Sequence, residues 1–405
     1  MEGTFVVDGD ISSAGLARLH EAMAAYVEAG DLPGLITLVA GSGTPRVDVI
    51  GCNAFGDDRP MERDAIFRIA SLSKPVVAAA AMTLVDEGLL GLSDTVYEWL
   101  PELIGQPVLR RLDSDLDDTV PATRAITVED LLTFRMGFGL IMAPPGATPI
   151  QRAEAELELR TLGPPWPPTP HPPDRWMALF GELPLMAQPG ASWMYNTGAQ
   201  VLGVLVERVA GRPLETVLTA RIFEPLGMVD TAFSVPPHKL DRLTTAYEPD
   251  PMSGNLDLLD TPETSYWAHP PVFPNAAGWL VSTVDDFWAF VQMLLAGGAY
   301  EGGRVLSEES VRLMTTDHLT PEQRQASSLF LGPGGGWGLG LRVPARGASV
   351  DGIPGGFGWD GGTGTTWRSD LDRRLTGILF TQRALTSPEP PPLAMDFWNA
   401  VYSSP

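Results

Sequence analysis

The chain has 405 residues, a formal net charge of −23 and a single cysteine, Cys52. An acidic surface repels phosphate backbones and anionic headgroups, so nucleic acid and membranes are poor partners, and one cysteine excludes both an intramolecular disulfide and a cysteine-based zinc site. Residues 1–10 lack the basic and apolar regions of a secretory signal, and no apolar run reaches membrane-spanning length, so we expect a cytoplasmic protein.

The two ends of the chain predict strands that pair into one sheet. Apolar residues at helical spacing indicate a helix between residues 13 and 30, and strand patterns follow at 35–39 and 46–50, with a turn at 41–43. Near the other end, strands are predicted at 365–368 and 375–381, with a turn at 370–373, and a last helix at 394–402. A sheet assembled from distant segments, with helices inserted between them, is typical of the α+β class with an antiparallel sheet.

The middle of the chain is predicted to be mostly helical. Thr127 with Asp130, and Thr283 with Asp286, form capping patterns ahead of apolar runs, and Gly297 marks the end of the second helix. Further helices are expected at residues 200–210 and 214–222. We expect a single domain over residues 12–403, in which residues 12–70 and 276–403 form the sheet region and residues 71–275 form the mostly helical region.

One segment of the helical region, residues 144–173, is rich in proline and also carries Trp166 and His171. Proline disfavours helix interiors and central strands, so we predict a long surface loop without helix. The loop either shapes the rim of a pocket or is an ordinary solvent-exposed loop, and the sequence leaves both possibilities open.

The most informative segment contains Ser71 and Lys74, three residues apart at the start of a predicted helix. This spacing places the two side chains on one helix face, and Pro75 fits only in a first helical turn. Residues 76–84 are almost wholly apolar, so the helix is expected to be buried. Burial lowers the pKa of a lysine, and a neutral lysine accepts the proton of a serine hydroxyl.

Two features favour this pair over its alternatives. The chain contains only two lysines, Lys74 and Lys239, so a chance Ser-x-x-Lys match is improbable. A surface lysine on the first turn is the main structural alternative, and a buried helix argues against it. Ser73 is a rival nucleophile, but at its adjacent position it points elsewhere on the helix.

The segment Phe67-Arg-Ile-Ala-Ser71-x-x-Lys74 resembles the first motif of serine β-lactamases, penicillin-binding proteins and their esterase relatives. Residues 126–133, 223–228 and 277–283 resemble later landmarks, so the similarity spans roughly residues 15 to 400. The nearest group is the family VIII carboxylesterases, which have a class C β-lactamase fold. The resemblance implies a single catalytic domain, Ser71 as nucleophile, and neither a cofactor nor a metal.

The second family motif, Tyr-x-Asn, is matched at Tyr195, with Thr197 in place of the asparagine. By the resemblance Tyr195 relays protons to the leaving group, and a lysine ammonium nearby would stabilise its phenolate. A core aromatic that donates one hydrogen bond is the structural alternative for Tyr195. The replacement by Thr197 puts the family's substrate-amide contact in doubt.

The third family motif, normally Lys-Thr-Gly or His-x-Gly, is matched at Trp359-Asp360-Gly361-Gly362. The resemblance implies an oxyanion hole made by the backbone N–H groups of Gly362 and Ser71. Gly361 is expected to let substrate approach the backbone. A flexible turn or bulged strand is the alternative for this glycine-rich run.

The third motif also bears on the substrate. Trp359 stands where β-lactamases carry a cation, and Asp360 adds negative charge, which disfavours an anionic substrate and suits a neutral ester. We therefore expect a small-molecule carboxylic ester as substrate. A β-lactamase, a D-peptidase or amidase, and an acyltransferase are alternatives on the same machinery, and a catalytically inactive binding protein with the penicillin-binding fold is the alternative of another class.

Overall fold

The structure, a computed structural model, describes residues 12–41, 44–160, 167–250, 252–345, 349–350, 353–354 and 356–403. Thirteen α-helices occur in these residues. They are α1 (Ser13–Glu28), α2 (Ser73–Asp86), α3 (Val128–Leu132), α4 (Pro149–Glu156), α5 (Pro173–Gly181), α6 (Thr197–Ala210), α7 (Leu214–Leu218), α8 (Glu224–Leu226), α9 (Val284–Leu295), α10 (Glu308–Met314), α11 (Pro321–Ala326), α12 (Ser328–Leu331) and α13 (Pro392–Tyr402).

The strands of the described residues form one large sheet and several two-stranded pairs. They are β1 (Gly34–Ala40), β2 (Arg46–Gly51), β3 (Phe67–Arg68), β4 (Val108–Leu109), β5 (Thr119–Val120), β6 (Ala246–Pro249), β7 (Leu256–Asp260), β8 (Val281–Ser282), β9 (Ala299–Tyr300), β10 (Gly303–Arg304), β11 (Gly335–Trp337), β12 (Arg342–Pro344), β13 (Ser349–Val350), β14 (Ile353–Pro354), β15 (Gly356–Gly361), β16 (Thr365–Asp370) and β17 (Leu375–Thr381).

The large sheet has seven antiparallel strands in the order β11-β12-β15-β16-β17-β1-β2. Strands from the two ends of the chain meet next to its β2 edge, where Leu35 of β1 pairs with Thr381 of β17 and Ala40 pairs with Thr376. The chain thus has the β-lactamase/transpeptidase-like fold expected from the sequence, and the α+β class is confirmed.

The sheet separates two apolar cores because its side chains alternate between its faces. On β1, Ile36 and Leu38 point into the main core, which contains α2, α6 and α9. Leu35 and Val39 point to the opposite face, where α1 and α13 pack against each other and cover the sheet. We call these the front face and the rear face; the catalytic candidates lie on the front.

Most elements predicted from the ends of the chain are confirmed. The strands at 35–39, 46–50, 365–368 and 375–381 lie within β1, β2, β16 and β17, and the last helix is α13. The predicted capping box of Thr127 and Asp130 is present at α3. Residues 42 and 43 of the predicted first turn lie outside the described residues, as does Trp166. The proposed domain limits and subdomain division stay predictions.

The prediction for residues 144–173 was wrong in one respect, because the segment contains the helix α4. Thr148 caps this helix by accepting from the N–H of Gln151, whose side chain accepts from the N–H of Thr148 in return. Pro149 occupies the first helical position, where a missing N–H costs no hydrogen bond. The prolines of this segment therefore flank the helix rather than prevent it.

No helix in the described part of the chain is long and apolar enough to cross a membrane. This observation does not test the cellular compartment, so the cytoplasmic location stays a prediction.

Candidate active site

Ser71 lies in a single 3₁₀ turn, Ala70–Leu72, that joins β3 to α2. It therefore precedes the α-helix rather than forming part of it, although Pro75 does lie in the first turn of α2 as predicted. The backbone of Ala70 has a φ of 43°, in the left-handed region that non-glycine residues rarely adopt. Such strain at the residue before a nucleophile is typical of a functional turn held by its surroundings.

The strand before this turn is held by a buried ion pair. Arg68 is almost fully buried and pairs with Asp260, and its guanidinium also donates to the carbonyl of Thr244 at 2.5 Å. Ser73 serves the same anchoring purpose: its hydroxyl donates to Ala70 O (2.7 Å) and accepts from the N–H of Leu280 (3.0 Å). Both hydrogen bonds of the Ser73 hydroxyl are thus made to backbone groups. Ser71 therefore remains the candidate nucleophile.

Lys74 is 1% exposed, and its Nζ lies 2.8 Å from Ser71 Oγ. The same nitrogen donates to the carbonyl of Ala277 at 2.5 Å. Burial lowers the pKa of Lys74 well below its ordinary value of 10.5. The face of the Tyr195 ring, 4.5 Å away, favours the ammonium by about 2 kcal/mol and so opposes part of this shift. The desolvated amine predicted from the sequence is present.

Tyr195 completes the cluster from the segment just before α6. Its hydroxyl donates to Ser71 Oγ at 2.7 Å and accepts from Trp359 Nε1 at 3.1 Å. Burial raises its pKa well above 10, so the stabilised phenolate expected from the sequence is not the resting form.

The backbone around Tyr195 is also strained and locked. Asn196, the next residue, has a φ of 92°, and Phe134, whose ring packs edge-on against Tyr195, has a φ of 57°. The chain from Phe134 onward runs beside this segment, since Leu140 N donates to Tyr195 O at 2.8 Å and Met194 N donates to Phe134 O at 2.8 Å. These contacts fix the position of the phenol relative to Ser71.

An aromatic wall surrounds the Tyr195 ring, and the sequence analysis missed most of it. Besides Phe134, the ring contacts Trp193, Phe330 and Trp359, with centroids 5.0–5.7 Å apart. Phe330 comes from α12, far along the chain, and no local pattern marks it as a neighbour of the site. The wall excludes water from one side of the cluster, which strengthens its hydrogen bonds.

Gly361, the last residue of β15, has a different role from the one predicted, whereas the oxyanion role of Gly362 stays a prediction. A Cβ on Gly361 would lie 2.4 Å from Ile69 O and 2.1 Å from Thr365 Oγ1, so this glycine allows β15 to pack against the nucleophile turn rather than against substrate. A Cβ on Gly362 would meet nothing within 4 Å, so this residue borders open space. The turn is tied to the nucleophile segment by hydrogen bonds from Thr363 to Arg68 O and from Thr365 to Ile69 O.

The prediction that Asp360 adds charge to the substrate pocket was wrong. Trp359 points to the front face, so Asp360, the next residue of the strand, points to the rear. There its carboxylate accepts from Arg368 (2.7 Å) and Thr366 (2.6 Å), and Arg368 lowers its pKa against the opposing effect of burial. The negative charge of Asp360 is therefore balanced by Arg368 on the rear face of the sheet.

Thr197 is buried at the start of α6 and lines a cavity of about 170 Å³ next to Tyr195. The opposite wall comes from residues 140–160, including Gln151 and Glu154 of α4. Burial raises the pKa of Glu154, and Arg160 opposes that shift. The proline-rich segment thus contributes to a cavity that Ser71, Lys74 and Tyr195 do not line, and its role at the rim of the substrate pocket stays a prediction.

Cys52 and three histidines bond to groups outside the catalytic cluster. Cys52 is half-buried, its pKa is raised by burial, and its thiol donates weakly to Pro33 O. His20 pairs with Asp48, and His171 and His318 contact backbone carbonyls. These contacts indicate structural roles for the cysteine and for these three histidines.

Comparisons with known proteins support the fold assignment. A family model described as Beta-lactamase matches residues 19–396. Protein Rv1367c of Mycobacterium tuberculosis is 40% identical over 93% of this chain and 91% of its own, and Esterase EstB of Burkholderia gladioli is 27% identical over 85% and 84%. Among solved structures, "EstCE1, a hydrolase with promiscuous acyltransferase activity" superposes with a TM-score of 0.79 at 24% identity, covering 96% of this chain and 98% of its own.

Proposed function

Because the chain belongs to the beta-lactamase family, whose fold serves serine hydrolases with esterase and acyltransferase relatives, we propose that it hydrolyses carboxylic esters through an acyl-enzyme on Ser71. One observation carries the proposal: Ser71 Oγ lies 2.8 Å from Lys74 Nζ and 2.7 Å from the Tyr195 oxygen. The set is intact, which disfavours a catalytically inactive binding protein. A family VIII carboxylesterase is the finer assignment we propose.

The first half of the reaction follows from the protonation states. The Tyr195 hydroxyl, protonated because its pKa is raised, donates to Ser71 Oγ. The serine hydroxyl is then free to donate to Lys74, which accepts because its pKa is lowered. As the proton moves to Nζ, Oγ attacks the ester carbonyl carbon, and the oxyanion forms between the N–H groups of Ser71 and Gly362.

The second half returns the proton and releases the acid. The ammonium of Lys74 gives its proton to the leaving alkoxide, either directly or by way of the Tyr195 hydroxyl, and the alcohol departs. Water then enters, loses a proton to Lys74 and attacks the acyl carbonyl. As this second tetrahedral species collapses, Lys74 returns the proton to Ser71 Oγ. The carboxylic acid is freed and the Ser71 hydroxyl is restored. No cofactor takes part in this scheme.

The preference for a neutral ester rests on Trp359 alone, since Asp360 faces the rear. Trp359 offers an aromatic face and an indole N–H already engaged with Tyr195, where the β-lactamase motif has a cation. A β-lactam carboxylate would lack that attraction. β-Lactam hydrolysis and amide or D-peptide cleavage therefore rank below ester cleavage.

Acyl transfer to an alcohol is a second candidate on the same acyl-enzyme. It is favoured by the aromatic wall, which limits water on one side of Ser71, and by the relative whose title names a promiscuous acyltransferase activity. Adding a primary alcohol during ester turnover tests it: formation of the new ester in competition with the acid supports transfer, and free acid alone excludes it.

The test of the proposal is covalent labelling followed by a substrate comparison. A fluorophosphonate should label Ser71 in the native protein and in Ser73→Ala, but not in Ser71→Ala. Short-chain p-nitrophenyl esters should be turned over far better than a chromogenic cephalosporin. Folded protein that resists labelling would favour the inactive binding protein, and a strong preference for the cephalosporin would refute the ester assignment.

A further inference from the structure

A separate cavity of about 230 Å³ lies on the rear face, between the sheet and α13. Its inner walls are apolar and buried, formed by Leu379 of β17 and by Leu393, Ala394 and Trp398 of α13. Partly or fully exposed prolines at positions 388 and 390–392 form its rim and leave it open to solvent. Ser71, Lys74 and Tyr195 are not among the residues that line it.

The charged groups of this rear cavity are already paired with one another. Arg368 donates to Asp360, and Arg383 donates to Asp31 O at 2.9 Å with the Asp31 carboxylate 3.6 Å away. Two arginines and two aspartates cancel in formal charge. The Tyr26 hydroxyl, on the same wall, donates to Asp396 at 2.7 Å. An occupant would gain little from a net charge and most from contact with the apolar walls.

The size of the cavity sets the size of its occupant. An apolar cavity of about 150 Å³ is large enough for benzene. At about 230 Å³ the rear cavity suits two fused rings or an aliphatic group of similar bulk. The aromatic face of Trp398 adds stacking for a ring system.

The cavity also touches the outer side of the turn that carries Gly362. Leu385 lines it, and its N–H donates to Gly362 O at 2.8 Å. Thr381 lines it as well and binds Gly364 O through both its N–H (3.1 Å) and its hydroxyl (2.8 Å). Leu385 and Thr381 therefore both hold this turn in place and line the cavity, so a bound molecule would contact them.

We propose that the rear cavity is a second, non-catalytic binding site for a compact uncharged molecule of mainly apolar character. It binds through Leu379, Leu393 and Trp398, and its occupant rests against Leu385 and Thr381 behind the Gly362 turn. Binding at this site does not depend on the proposed esterase activity.

Calorimetric titration of the full chain with 2-naphthalenemethanol, and with 2-naphthoate as a charged probe of nearly the same shape, tests the proposal. The alcohol should bind, and the anion should bind at least several-fold more weakly. Prior reaction of Ser71 with a fluorophosphonate should leave the affinity unchanged, because the site lies on the other face. If Ser71 is not labelled, the proposed function fails while the titration still decides the rear site.

Variants locate the binding. Ala394→Phe fills the cavity and should lower the affinity for the alcohol at least tenfold; Ala384→Leu, which narrows it from the opposite wall, should do the same if the first variant does not fold. Asn399→Leu adds a similar apolar group on the exposed side of α13 and should bind like the native chain. Absence of binding, equal affinity in folded filled variants, tighter binding of naphthoate or competition by the Ser71 adduct would each overturn the proposal.

Discussion

Neighbouring residues of β15 show two ways in which this protein buries polar groups. On the front face, Trp359 donates to Tyr195 in a cluster where burial lowers the pKa of Lys74 and raises that of Tyr195, so burial favours the neutral form of both groups. On the rear face, Asp360 is paired with Arg368, which keeps the carboxylate ionised. A buried group with a counter-ion stays charged and stabilises the fold, whereas one without it becomes neutral and able to exchange protons.

Replacing Lys74 should have the largest effect on activity, because it removes the buried group without a counter-ion on the front face. Lys74→Met removes the proton acceptor, so kcat/KM for a p-nitrophenyl ester should fall about a thousandfold or more. Folding should become more favourable at neutral pH, because the unfolded chain binds a proton that the buried amine does not, which costs the native state about 1.4 kcal/mol for each pH unit below 10.5.

The stability gain has a definite pH dependence. Between the lowered pKa of Lys74 and its ordinary value of 10.5, the unfolded chain binds more protons than the native one, so native stability rises with pH. The advantage of Lys74→Met should therefore shrink as the pH approaches 10.5, as measured by denaturant unfolding. Lys239→Met, at the other lysine, is the control. Retention of activity within tenfold in Lys74→Met would remove the lysine from the mechanism.

Tyr195→Phe should have the next largest effect. It deletes the hydroxyl bonded to Ser71 Oγ while keeping the aromatic packing, and we expect kcat to fall about a hundredfold. Because a protonated phenol with a raised pKa is lost only above pH 10, the native enzyme should show no falling limb in kcat between pH 8 and pH 10. Tyr266→Phe, at an exposed tyrosine, should leave kcat unchanged. A falling limb near pH 8 would contradict the neutral phenol.

Trp359→Phe should have a smaller effect because it removes one neutral donor. A hydrogen bond of this kind is worth about 0.5–1.5 kcal/mol, so a loss in kcat/KM of about two- to twelvefold is expected. Trp337, whose ring packs edge-on against Trp359, is the matched control: Trp337→Phe removes an indole N–H bonded to Leu132 O and should affect kcat less. Equal losses in both variants would assign the effect to packing rather than to the bond with Tyr195.

Asp360→Asn should have the smallest effect on turnover, below about threefold, because the carboxylate faces the rear. It should destabilise the fold by about 1–3 kcal/mol by leaving Arg368 unpaired, a figure reduced from that of a fully buried pair because the carboxylate is 28% exposed. Thermal unfolding and ester kinetics measure the two effects. A gain of activity toward anionic esters would indicate that the Asp360 carboxylate does face the substrate pocket.

The parts of the site predicted from sequence are those set by local spacing. Ser71, Lys74 and Pro75 lie within one helical turn of each other, and an apolar run reveals the burial of α2. The error at Asp360 was avoidable, because alternation along a strand puts it opposite Trp359. The helix α4 was also marked, since Thr148 and Gln151 have the spacing of a capping box.

Other features lie beyond sequence reasoning because they depend on long-range packing. Phe330 and Phe134 reach the Tyr195 ring from segments far apart along the chain. The close approach of Gly361 to Ile69 O, and the left-handed backbone of Ala70, appear only when the sheet meets the nucleophile turn.

The neutral state of Lys74 is the central claim, and the presence of only two lysines in the chain makes it directly measurable. Protein labelled with ¹³Cε-lysine gives two signals, which Lys239→Arg assigns, and each is followed as the pH is raised. We predict that the Lys74 signal shifts from ammonium to amine well below pH 10.5. A Lys74 signal that keeps the ammonium shift up to pH 10 would contradict the account.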